Sequence, residues 1–195
     1  MEGAMRAVIP LGMAAAIVVM GLVPVRFSDG ALAERAQAAI DTLQQRLLKR
    51  LLHEYQQGGA ERGVRVCAEV AQVLTEQVGA EQGVHIRRVS RKYRNPKNAP
   101  DQWEESVLRQ WEEQLRRGEP IEEVAHWDGS GKERTYRLMR PIRIAMPLCL
   151  ECHGQHVQPS VLRLLRQKYP RDNARGYKLG DLRGAFSVRI PSPEN

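Results

Sequence analysis

Five residues, Cys149-Leu150-Glu151-Cys152-His153, have a spacing with a definite chemistry. Two thiols so placed can add across the two vinyl groups of one porphyrin, and the histidine that follows lies under the ring to give iron its proximal nitrogen. The motif therefore predicts one haem c, covalently attached through Cys149 and Cys152, with His153 as an axial ligand. Three other readings compete. A thioredoxin-type dithiol needs a strand-to-helix context in a βαβ unit, whereas this motif follows the proline-broken run Arg140-Pro141-Ile142-Arg143-Ile144-Ala145-Met146-Pro147. Zinc could draw on Cys149, Cys152, His153 and His156, but adjacent Cys152 and His153 would have to bend back onto one small ion, and the sequence holds no second ligand cluster. A Cys149–Cys152 disulfide would close too small a loop to stabilise much through the unfolded chain.

Cys67 is the remaining cysteine, and an exported protein with two thiols in thioethers has no idle reason to keep a third. Cys67, Val70, Leu74 and Val78 recur at helical spacing, which puts the thiol on a buried stripe. A buried free cysteine can be merely a small hydrophobe, but iron needs a sixth ligand. Met139, Met146, His85, His126 and His156 are chemically able to serve as well. Met146 and His156 lie close to the motif, on the proximal side. Cys67 ranks first, with Met139 and His126 behind.

These residues must be positioned by an α+β fold. Residues 29–57 carry Leu32, Ala36, Ile40, Leu43, Leu47, Leu51 and Tyr55 at spacings of three and four, so they predict one long helix, capped by Ser28 and stopped at Gly58-Gly59. It reads as a first core helix, with a stalk or homodimer seam as the alternative. A second helix is expected over 61–77 and a strand over 84–89. A turn-rich loop over 93–100 follows. Asn98 would cap a helix over 100–117 with an apolar stripe of Trp103, Val107, Trp111 and Leu115. Strands at 122–127 and 133–144 joined at Asp128-Gly129-Ser130-Gly131 form a hairpin. A helix over 159–168 and a last strand over 184–190 complete a small antiparallel sheet with helices on one face.

Haem c is attached outside the cytoplasm, and the amino terminus agrees. Residues 7–25 are apolar, between Arg6 and Arg26, and match the ~20 residues of a bilayer span. Ala31-Leu32-Ala33 resembles a cleavage site but lies further beyond the apolar run than a peptidase prefers. The expectation is an anchor on the periplasmic side of the inner membrane, with a periplasmic or secreted form as the alternative. The division expected is 1–27 as anchor or signal segment, 28–60 as long amphipathic helix and 61–195 as haem domain. The net charge of +7 comes from 30 Lys plus Arg spread through every segment, and an exported chain does not meet nucleic acid. Their place is a solvated surface facing an anionic membrane, with a few to serve haem propionates.

Four runs occur here in a familiar order: residues 90–104 (Ser-Arg-Lys-Tyr-Arg-Asn-Pro-Lys-Asn-Ala-Pro-Asp-Gln-Trp-Glu), Met139-Arg140-Pro141-Ile142, residues 148–154 around the haem motif, and residues 176–188 (Gly-Tyr-Lys-Leu-Gly-Asp-Leu-Arg-Gly-Ala-Phe-Ser-Val). From about Cys67 to Val188 the chain resembles the bacterial c-type haem family first catalogued as a domain of unknown function, whose members occur alone or as the sensor region of histidine kinases. The resemblance implies a PAS-like fold around one covalent haem, ligated by His153 and, from an early helix, Cys67. Family members often carry serine or threonine with leucine where this chain has Arg91-Lys92-Tyr93, and a more basic surface there points to a different partner.

Thiolate is an electron-donating anion that favours ferric iron and a low potential, and it must be deprotonated to bind. A Cys67 that protonates and leaves on reduction would make a redox or gas sensor signalling to a separate partner protein. A Cys67 that stays would make a low-potential electron carrier. The sequence marks neither an open iron position nor a distal acid–base group, so an enzyme is not expected.

Overall fold

The computed structural model describes residues 29–192. The apolar run at 7–25 and the Ser28 cap lie outside them. Helix α1 (Asp29–Arg65) is interrupted where the glycine pair predicts: Gly58 is extended (φ 179°) and Gly59 left-handed (φ 62°), a conformation that costs glycine nothing. The following segment departs from expectation. Instead of one smooth helix, Val66–Val70 form a π-helical turn, and α2 (Ala71–Gln82) then runs to a left-handed Gly83 cap.

Strands β1 (His85–Val89), β2 (Val124–Asp128), β3 (Thr135–Arg143) and β4 (Leu182–Pro191) form one antiparallel sheet in the order β1-β4-β3-β2. The last strand is therefore central. Alternation along it divides the core in two. On one face Phe186, Val188 and Ile190, with Tyr136 and Leu138 of β3, meet Leu32, Ala36, Ile40 and Leu43 of α1. At about 1.5–3 kcal/mol per large side chain buried, that contact is a main source of stability. On the other face Met139 and Ala185 pack against Val107, Leu108 and Trp111 of α3 (Gln102–Arg116). Helices thus cover both faces of the sheet, not one as the element order suggested. The cause is visible in β4, buried at nearly every position because it has neighbours on both sides and both faces.

Helix α3 is capped by Asp101 rather than Asn98. The Glu104 amide donates to Asp101 Oδ1 and the Asp101 amide to Glu104 Oε2, each at 2.8 Å, closing a capping box. Asn98 instead ends a 3-10 turn (Pro96–Asn98) that the Asn95 side chain caps. Fully buried Glu104 also accepts from Ser187 Oγ at 2.7 Å, and Arg137 and Arg189 both donate to Asp101 Oδ2. The Asn-Ala-Pro-Asp-Gln-Trp-Glu run is therefore the clamp that fixes α3 to β3 and β4.

Two short helices complete the chain. Helix α4 (Pro147–His153) starts with proline at its first turn, where the missing N–H is harmless, and carries the cysteine motif. Helix α5 (Pro159–Lys168) packs Val161 and Leu165 on Ala60 and Val64. Among the described residues no helix is long and apolar enough to cross a membrane.

Candidate functional site

The elements converge on one open cleft of about 1530 Å³, counting its mouth. The second half of α1 forms one wall with Leu47, Leu51 and Tyr55. Cys67 enters from the π turn, Phe186 and Gly184 from β4, and Cys149, Cys152 and His153 from α4. All three cysteines are free. Two sequence-predicted groups far apart in the chain, Cys67 and the 149–153 motif, thus share one site. They do so because α1, turning back at Gly58-Gly59, sets the π turn across from α4. The stripe used to place Cys67 does not survive intact. The extra residue of the π turn breaks the helical register, so Leu74 and Val78 face the sheet core while Cys67 lines the cleft.

His153 is held at one nitrogen and free at the other. Its Nδ1 lies 2.7 Å from the Ala174 carbonyl, which can only accept, so Nδ1 carries the hydrogen and Nε2 keeps its lone pair. Desolvation, helped by the Arg183 and Arg94 charges, holds the imidazole pKa well below its ordinary value, so the ring is neutral and able to ligate. The Ala174 carbonyl is itself fixed. Arg94 donates to it at 3.3 Å, to the Cys152 carbonyl at 2.7 Å and to Asp172 at 3.0 Å. Tyr177 sits edge-on to the imidazole at 6.2 Å. Gly154 ends α4 where a Cβ would meet the Leu150 carbonyl at 2.5 Å, and its own carbonyl accepts from Gly176.

The cleft is electropositive. Arg88, Arg94, Arg143 and Arg183 line it, and among the described residues no Asp or Glu does. Burial pushes the Cys152 thiol up to about 12, against the pull of Arg94. Burial and the neighbouring Cys67 likewise raise the Tyr169 phenol to about 12. Two thiols and a neutral imidazole on one short helix, a third thiol entering from a different element, apolar walls and acid-free cationic walls are a donor set that fits an iron porphyrin with its carboxylates. They do not suit a bare ion: among the described residues no group of three or more His, Cys, Asp or Glu could hold one.

The other candidate ligands lie elsewhere. Met139 is fully buried against α3, on the sheet face away from the cleft. His126 is exposed and stacks on Trp103 at 5.6 Å. His85 and His156 are exposed, and Met146 caps the start of α4. Sequence reasoning missed the Arg94–Asp172–Ala174 support of His153. Its only sequence signal is an arginine at a proline turn that the fold buries to 5% exposure.

No curated protein sequence matches this chain at a significant level. Its fold is similar to the crystal structure of the cyanobacterial heme-protein Tll0287, with 27% identity and a TM-score of 0.60, over 87% of this chain and 99% of that one. Residues 25–191 match the Tll0287-like family model, and the chain belongs to the Tll0287-like family.

Proposed function

We propose that this chain is a haem c protein acting as a redox or gas sensor module. One haem is attached through Cys149 and Cys152, with His153 and Cys67 as axial ligands. The observation that carries the reading is the meeting of Cys67 with Cys149, Cys152 and His153 in one acid-free cleft. A structural relative at 27% identity is a heme-protein, which supports the cofactor. A four-stranded antiparallel sheet crossed by a long helix is consistent with a PAS-like sensor fold. Bound there, the haem supplies a one-electron ferric/ferrous couple.

The residues supply the rest. His153 offers Nε2 while Ala174 holds Nδ1–H. Cys67 must be deprotonated to bind. Its π turn, bonded less regularly than an α-helix, is a segment that can release the sulfur without unfolding its neighbours. The release would reach α1 directly: Tyr55 Oη donates to Glu151, inside the motif, at 2.5 Å, and Leu47 and Leu51 wall the cleft. Since the other half of α1 packs on the sheet, the helix is the natural output toward a partner protein, from a chain anchored on the periplasmic face by residues 7–25.

One observation favours electron transfer instead. No residue of α4 is fully buried, so the motif edge of the cleft reaches the surface, as electron entry requires. Two measurements decide. Colour retained in the denatured protein after acidic organic extraction establishes covalent haem, and its loss would sink the assignment. Carbon monoxide added to the reduced protein changes the spectrum of a sensor that releases Cys67 and leaves that of a carrier unchanged.

A further inference from the structure

Four arginines line the cleft, and two of them are spent on the fold. Arg94 is consumed by Asp172 and two carbonyls, and Arg143 is exposed, with Nε donating to the Gly180 carbonyl at 2.8 Å. The other two differ from every other partly buried arginine of the strands. Arg87, Arg137, Arg140 and Arg189 each face a carboxylate. Arg183 has none. One of its terminal nitrogens donates to Ser90 Oγ at 2.9 Å and the Lys92 carbonyl at 3.3 Å, while its Nε is buried without a partner. Arg88 has no hydrogen-bond or ion-pair partner among the described residues, and its Nε is also buried.

The two extend from neighbouring antiparallel strands, β1 and the start of β4, close enough that Arg88 and Arg94 add to burial in lowering the Arg183 pKa. Two guanidinium charges held partly out of water, near each other and without an anion, are a costly arrangement unless counter-charges arrive from outside the chain.

We infer that Arg88 and Arg183 are the counter-ions of the two haem propionates. This rests on the haem reading above. The match is one of number and kind: two planar cation forks without carboxylates, in a cleft whose walls hold no acid, and a cofactor that carries two carboxylates.

The test uses the full chain with its covalent haem. Arg88→Gln and Arg183→Gln should each shift the propionate bending band of the resonance Raman spectrum and lower the reduction potential, because each removes positive charge beside the cofactor. Arg88→Lys and Arg183→Lys should restore most of the potential but less of the band, since a point charge replaces a fork. Arg87→Gln, the same charge change one residue away on the opposite sheet face, should move neither. Arg88 has no partner to lose, so its variants should fold. If Arg183→Gln does not, Arg183→Lys carries that arm. An unmoved band in Arg88→Gln together with Arg183→Gln or Arg183→Lys, or an equal shift from Arg87→Gln, overturns the assignment. A parent chain without any haem band would sink the haem reading itself, and is distinguishable from a band that is present and unmoved.

Discussion

Cys67 and Met139 show how a residue's type and its address can disagree. Both sulfurs can ligate iron, but the sheet has two covered faces and Met139 is on the wrong one for the cleft. In the proposed ligation, replacing the Cys67 thiolate with a neutral thioether removes negative charge from iron, so Cys67→Met should raise the reduction potential. Cys67→Ala should open the reduced protein to carbon monoxide, and Met139→Leu should change neither. A parent-like ferric spectrum in Cys67→Ala would mean that another residue ligates, and electron transfer would then be the better reading. Arg94 makes a second point at this scale. Its guanidinium and the Asp172 carboxylate are 6% and 7% exposed, so Arg94→Ala should strand a buried charge and cost about 3–5 kcal/mol in urea unfolding. Arg94→Met combined with Asp172→Leu should cost much less, and equal losses would show that the pair is not the cause.

At the scale of elements, the clamp at the start of α3 separates a cap from a charge. Burial works against the Asp101 charge, yet hydrogen bonds from the Glu104 amide and Arg137, with the Arg137 and Arg189 charges, hold its carboxyl below the ordinary value. A depressed carboxyl contributes stability above its unfolded pKa, and that contribution is lost as pH falls through the lower folded pKa. Asp101→Asn keeps a good cap and loses the charge. It should be less stable than the parent at pH 7 and converge on it as the pH falls through the lowered folded pKa of Asp101. Asp101→Ala should lose a further ~1 kcal/mol at every pH, the value of the cap. A pH-independent deficit in Asp101→Asn would refute the charge account. The sequence made most elements legible, since α1, the hairpin strands and α5 obey simple periodicities and glycine or proline stops. It did not reveal the π turn, because one extra residue in a helix leaves no compositional trace. Nor did it reveal that α3 crosses to the second sheet face, which depends on β4 being central. The half of the candidate site in residues 149–153 was legible because its residues are contiguous. The support of His153 was not, because Arg94, Asp172 and Ala174 meet only in space.

For the whole molecule, the open question in the sequence was whether residues 29–57 are a stalk or part of the core, and the packing bears on the fate of the amino terminus. Leu32, Ala36, Ala39, Ile40 and Leu43 are at most 1% exposed, and their cluster joins them to Val188 and Ile190 of the central strand. The first part of the apolar stripe of α1 is thus spent on its own sheet, which leaves less of it for a second copy. It also argues against processing at Ala31-Leu32-Ala33. Cleavage there would start the chain at Glu34 and take away Leu32, a side chain whose truncation at a buried site costs about 2–5 kcal/mol. It would also remove the first turn of α1. We therefore expect the protein to fractionate with membranes with residues 7–25 retained, checked by mass analysis of its amino terminus. Independently, a soluble chain beginning at Asp29 should unfold at a higher urea concentration than one beginning at Glu34. If the two unfold together, Leu32 is not needed by the core, and cleavage at Ala33 regains its standing as the route to a free periplasmic form.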